Sequence, residues 1–181
     1  MAAERGLPAL QRFITTHDAN GKAVFLNELS PSTPEQPVMD AVFGLAYTTT
    51  QFPVQMKDDT DITSYKHHLG QAPGLVVASG TVLRYVDMPP NCLSPMHRTV
   101  SLDYGVVLQG EVALVLDSGE ERILKQGDIA IQRGTNHAWR NTSNDKWVRM
   151  LFILQPSYQL ELNGSKLGED LADMKDVRKS D

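Results

Sequence analysis

Pro95-Met-His97-Arg-Thr99-Val-Ser-Leu-Asp103-Tyr-Gly-Val-Val-Leu-Gln-Gly110 and Gly127-Asp-Ile-Ala-Ile-Gln-Arg-Gly134-Thr-Asn-His137-Ala-Trp-Arg-Asn141 are the two stretches on which the fold turns. Both are short, mix polar with β-favouring apolar residues, and end at glycine, as strands closed by tight turns do. Successive side chains of a strand point to opposite faces. A continuous strand therefore places His97, Thr99, Ser101 and Asp103 on one side of the first stretch. His137, Trp139 and Asn141 share a side of the second in the same way.

Outward from these stretches the same rhythm continues. Strands are expected at Ala41–Thr49, Thr81–Val86, Leu102–Leu108, Val112–Leu116, Glu121–Leu124, Ile129–Gln132 and Trp147–Leu154, with Gly110, Gly119, Gly127 and Gly134 at reversals. Arg12–Thr16 and Lys22–Leu26 flank Asp18-Ala-Asn-Gly21, a turn sequence that predicts a hairpin. Pro31, Pro34 and Pro37 predict a loop over residues 30–37. The polar segment 57–74 predicts no more than a helical turn near Asp59 or Asp61, and His67-His68 are read as surface residues of a loop. Leu171, Met174 and Val177 recur every third residue and predict a short amphipathic helix. Many short strands at even spacing indicate an all-β barrel or sandwich. It divides into residues 1–79 as strands and extension, 80–156 as the core and 157–181 as the tail.

Composition narrows the function classes. The 181 residues suffice for one domain with a proper core. A formal charge of −5 argues against nucleic acid and anionic membranes, which need a basic face. No run approaches the roughly 20 apolar residues that span a bilayer. The start, Met1-Ala-Ala-Glu-Arg-Gly, lacks the pattern of a secretory signal, so a cytoplasmic location is expected. Cys92 is the single cysteine, which excludes an internal disulfide and is read as a buried, inert thiol.

Chemistry concentrates on the two shared faces. If a barrel brings them together, His97, His137 and Asp103 form a two-imidazole, one-carboxylate set suited to Fe, Mn or Zn, with coordination positions left open. Without a metal, an Asp–His pair can still move protons, because its surroundings can shift a histidine across neutrality. Arg98, Arg133 and Arg140 flank these residues and could clamp a substrate carboxylate. Neighbours of inward residues more commonly point to solvent. Trp139 is an aromatic wall or a core residue, and Tyr104 belongs to the packing between sheets.

These stretches resemble the paired motifs of the cupins, in particular small single-domain cupins of the cupin-2 type. The first cupin motif runs His-x-His, three residues, Glu, six residues, Gly; the second opens on Gly-Asp and places Gly three before a His and Asn four after it. The resemblance covers roughly residues 80–155 and implies a double-stranded β-helix, or jelly-roll, barrel. Its ligand positions map to His97, Thr99, Asp103 and His137. Thr99 stands where the family has its second histidine, Asp103 where it has Glu, and the second motif lacks its proline. A threonine hydroxyl ligates a divalent ion poorly, so the resemblance implies at most three ligands.

What the resemblance implies for function is an enzyme acting on a small oxygenated organic molecule, such as an aromatic or polyketide-like acid. Metal-assisted lyase, decarboxylase or isomerase chemistry would use His97, Asp103 and His137, with Thr99, Trp139, Arg98 and Arg133 at the substrate. The alternatives are a metal-free binding module and an Fe(II) dioxygenase. Pairing through N-terminal strands in residues 10–50, as cupins commonly do, implies a homodimer.

Overall fold

The computed structural model describes residues 5–172, 174 and 176–180. The chain begins with a hairpin, β1 (Thr15–His17) and β2 (Ala23–Phe25), followed by β3 (Glu35–Val38), β4 (Ala41–Thr48), α1 (Thr60–Gly70) and β5 (Val82–Met88). Then come β6 (Ser101–Gln109), β7 (Glu111–Leu116), β8 (Glu121–Lys125), β9 (Ile129–Arg133), β10 (His137–Asn141) and β11 (Val148–Pro156). A last hairpin joins β12 (Leu160–Leu162) to β13 (Ser165–Leu167). Six strands form one antiparallel sheet in the order β3-β4-β5-β11-β6-β9, and β10-β7-β8 form a second. The all-β jelly-roll expectation holds as two facing sheets. No helix among the described residues is long and apolar enough to cross a membrane.

Apolar residues from both sheets meet between them. Val86 and Met88 of β5, Val107 of β6 and Met150 of β11 pack with Val112 of β7, Leu124 of β8 and Trp139 of β10. A second cluster, Leu75, Val76, Val77, Val82 and Leu154, fills one end of the sandwich. The β6–β7 reversal depends on Gly110, whose φ is +88°, and a Cβ there would sit 2.5 Å from the Val148 side chain. Only glycine meets both conditions.

Four elements depart from the sequence expectations. Residues 30–37 are not wholly a loop, because β3 begins at Glu35 and includes Pro37. It is an edge strand, where a missing N–H costs no ladder bond. Residues 60–70 form a full helix rather than one turn, anchored by buried Ile62 and Tyr65. His67 and His68 lie in its last turn, and His68 Nδ1 is 2.8 Å from the Thr48 hydroxyl. The tail forms turns rather than the expected helix among its described residues, with Leu171 and Met174 carbonyls accepting three-residue bonds. Its apolar residues still pack on the second cluster. Finally, β6 starts only at Ser101, so His97 and Thr99 precede the strand.

The outer face of the large sheet carries a buried ion network. Asp87 on β5 is fully buried, and in-register Arg149 on β11 grips it through Nε and Nη2 at 2.6 and 2.7 Å. Arg149 also donates to the Pro8 carbonyl at 2.6 Å. Arg5 donates to Asp87 through Nε at 2.7 Å and to Glu35 through both terminal nitrogens at 2.6 Å. Tyr85 closes the circuit by donating to Glu35 at 2.7 Å. This network ties residues 5–8 and β3 to the centre of the sheet. Removing one partner of a buried pair leaves an uncompensated charge. Asp87→Ala is therefore expected to destabilise the fold by about 3–5 kcal/mol in urea denaturation. Arg5→Ala, on a partly exposed side chain, should cost a fraction of that, and equal losses would contradict the assignment of Asp87–Arg149 as the central pair.

Candidate functional site

The two histidines come together through the backbone. His97 donates its N–H to the His137 carbonyl at 2.8 Å, and His137 returns the bond at 2.9 Å. This isolated bridge, rather than a continuous strand, places the two imidazoles side by side with ring centroids 4.4 Å apart. The two rings, tilted 47° to one another, are anchored in the same way. His97 Nδ1 meets the Pro95 carbonyl and His137 Nδ1 the Thr135 carbonyl, both at 2.9 Å. A carbonyl only accepts, so each Nδ1 carries the proton and each Nε2 keeps its lone pair. Burial lowers the pKa of His97. Burial and then the neighbouring imidazole push His137 down to about 4. Both rings are neutral bases at pH 7.

Asp103 sits apart from this pair. Its Oδ2 accepts from the Thr99 hydroxyl at 3.1 Å, and Ser101 in turn donates to Thr99 at 2.7 Å. Its Oδ1 is buried without a partner. Burial raises its pKa to about 6, against hydrogen bonds from Ser101 and Thr99 and the charge of Arg84 that lower it. Among the described residues no three His, Cys, Asp or Glu side chains converge to hold a metal ion. Within the expected set of His97, Asp103 and His137, the two imidazoles stand together while Asp103 turns its Oδ2 to its own hydroxyl pair.

All three nevertheless line one open-mouthed cavity, together with Thr99 and Trp139. Trp139, which also packs in the core between the sheets, makes T-shaped contacts with His137 at 5.9 Å and Phe152 at 5.6 Å between ring centroids. The flanking arginines do not take part. Arg133 is exposed, Arg140 pairs with Glu121, and Arg98 donates to the Gly168 carbonyl at 2.8 Å, which ties down the tail. Alternation along β9 and β10 turns Arg133 and Arg140 away from the cavity, and Arg98 is turned to the tail, so the substrate-binding expectation for Arg98 and Arg133 is corrected. Asn141 is a pin, donating to the carbonyls of Met88, Pro89 and Lys146. Burial raises the Cys92 thiol, which keeps it protonated.

Two cavity residues were missed from sequence. Arg84 lies on the inward face of β5 between Val82 and Val86, and Gln132 lies opposite Asp103 in the β6–β9 register. Both line the cavity, and Arg84 Nε and Gln132 Nε2 are buried without partners. The available signal was a charged residue inside the apolar run Val82-Leu-Arg-Tyr-Val86.

A family model described as a cupin domain matches residues 84–154. The cupin-domain-containing oxidoreductase fogC of Aspergillus ruber is 41% identical across 90% of this chain and 80% of that protein. The chain belongs to the cupin family. Phomopsin biosynthesis cluster protein D of Diaporthe leptostromiformis is 50% identical to this cupin, over 87% of the chain and 84% of the relative. Oryzines biosynthesis cluster protein J of Aspergillus oryzae (strain ATCC 42149 / RIB 40) is 42% identical, over 95% and 97%.

The opposed shifts in this cupin's cavity set a pH signature. Asp103, with its pKa raised to about 6, contributes stability that is complete below its ordinary value of 3.8 and is lost as pH rises through 6. His137, pushed down to about 4, contributes stability present above its ordinary 6.5 and lost as pH falls through 4. Asp103→Asn removes only the first dependence. Its stability relative to the unsubstituted protein should rise by about 2–3 kcal/mol between pH 4 and pH 8 in denaturant titrations. A flat difference would show that Asp103 titrates normally.

Proposed function

We propose that this cupin is an enzyme that moves protons on a small oxygenated organic molecule, giving isomerase- or lyase-type chemistry. The observation that carries this reading is the pair of imidazoles whose Nδ1 atoms are fixed on backbone carbonyls, leaving two neutral bases in one largely apolar cavity. A neutral imidazole is suited to take a proton next to a carbonyl. The buried cation of Arg84 can stabilise the enolate that results, more strongly than it could in water. Asp103, with a pKa of about 6, is protonated in part near neutrality and can return a proton. The cavity walls around it are largely apolar.

The relatives support small-molecule chemistry in the coarse sense, because two are named as products of biosynthetic clusters. The name oxidoreductase, carried by the Aspergillus ruber relative, favours a second reading in which the same cavity serves a redox step. Deuterium exchange separates the two. With phenylpyruvate in D2O, the protein should speed loss of the benzylic proton signal at least tenfold over buffer, without added nicotinamide and unchanged by EDTA. His137→Ala and His97→Ala should each lower the enzymatic rate about a hundredfold. Exchange at the buffer rate, with oxygen uptake or nicotinamide turnover in its place, would replace the proton-transfer reading with the redox one.

A further inference from the structure

This chain buries two arginines in neighbouring strands of one sheet, and they are treated differently. Arg149, 3% exposed, spends its donors on Asp87 and the Pro8 carbonyl. Arg84, 7% exposed and on the opposite face, has one protein bond, from Nη2 to the Gly74 carbonyl at 2.8 Å. Its guanidinium lies 5.7 Å from the centre of the Phe43 ring, its Nε is unpartnered, and no described carboxylate stands within ion-pair distance. A buried charge without a counter-ion is costly and persists where something completes it. Asp103 acts on Arg84 only through space, and its own Oδ1 is unmatched. Gln132 repeats the pattern on β9: its Oε1 accepts from the Thr135 hydroxyl, which fixes Nε2 as the free end.

We propose that Arg84 is the point at which the cavity recognises an anionic oxygen, a carboxylate or enolate, on an otherwise apolar ligand, with Gln132 as a second donor. Arg84 lines the cavity and its Nε–H is unpartnered, and a guanidinium is well suited to bind such oxygens. Around it, Phe43, Val86, Phe152 and Leu154 give the ligand an apolar bed. Burial lowers Arg84 to about 10, so it remains a cation at neutral pH. The specificity that follows is for acids over their esters and amides, because a neutral ligand would leave the charge uncompensated. This inference rests on the cavity being the substrate site, but it concerns binding and is read without turnover.

Calorimetry with 2-naphthoate and methyl 2-naphthoate at one pH and ionic strength tests it. The acid should bind at least tenfold more tightly than the ester. In Arg84→Met the preference should fall to within twofold while the ester's affinity holds, and Arg84→Lys should keep part of it. Gln132→Leu should weaken the acid alone by a smaller factor. The comparison in the unsubstituted protein decides even if Arg84→Met fails to fold. Equal affinity for acid and ester, no binding of 2-naphthoate at millimolar concentration, or a preference that survives Arg84→Met would overturn the proposal. An acid preference without phenylpyruvate exchange would sink the catalytic reading alone, and exchange without the preference would sink this inference alone.

Discussion

A carboxylate and a guanidinium locked together inside a sheet determine how the rest of this molecule is arranged. Asp87 and Arg149 face each other in register across β5 and β11, the two strands at the centre of the larger sheet. Their bidentate contact fixes that register, since a slip by one residue would expose the charges to an apolar surface and reverse every side chain on both strands. Arg5 and Glu35 extend the contact to the N-terminal segment and to β3. Because β5 alternates strictly, the same pairing that turns Asp87 and Tyr85 outward turns Arg84, Val86 and Met88 inward. The inner cavity therefore owes the position of its one cation to an ion pair on the other side of the sheet.

The cavity places its charges by a second device, the backbone. His97 lies outside any regular strand, yet its main chain bonds reciprocally to His137. Low polarity then makes the electrostatics act in one direction. The imidazoles are held neutral, the carboxyl's pKa is raised to about 6, and the buried guanidinium keeps its charge. A buried cation beside two neutral imidazoles favours negative charge at that point of the cavity.

Much of this was legible in the sequence. Gly110, Gly127 and Gly134 punctuate strands closely where expected, and alternation put Asp103, His137 and Trp139 on inward faces correctly. It failed in two ways. Period-two reasoning assumes an unbroken strand, and the irregular stretch before Ser101 broke the assumption for His97 and Thr99 while still burying both. It also reads polar residues beside a motif as candidates. Arg98, Arg133 and Arg140 neighbour the histidines, whereas the arginine that lines the cavity is Arg84, distant in sequence and hidden in an apolar run. The helix at residues 60–70 was underestimated because its apolar content is small, with Ile62 and Tyr65 carrying the packing. The carboxylate's preference for Thr99 over the histidines is a matter of side-chain geometry that spacing does not encode.

The anchoring of each Nδ1 on a main-chain carbonyl has an implication for how such a cavity can change over evolutionary time. Tautomer and ring direction are set by backbone atoms at residues 95 and 135, which no substitution removes directly. The walls, by contrast, are side chains from other elements: Phe43 on β4, Val86 on β5, and Phe152 and Leu154 on β11. Imidazole orientation and cavity walls are thus set by separate parts of the chain. A wall residue can be replaced, and the space beside the rings reshaped, without disturbing the tautomer of either histidine.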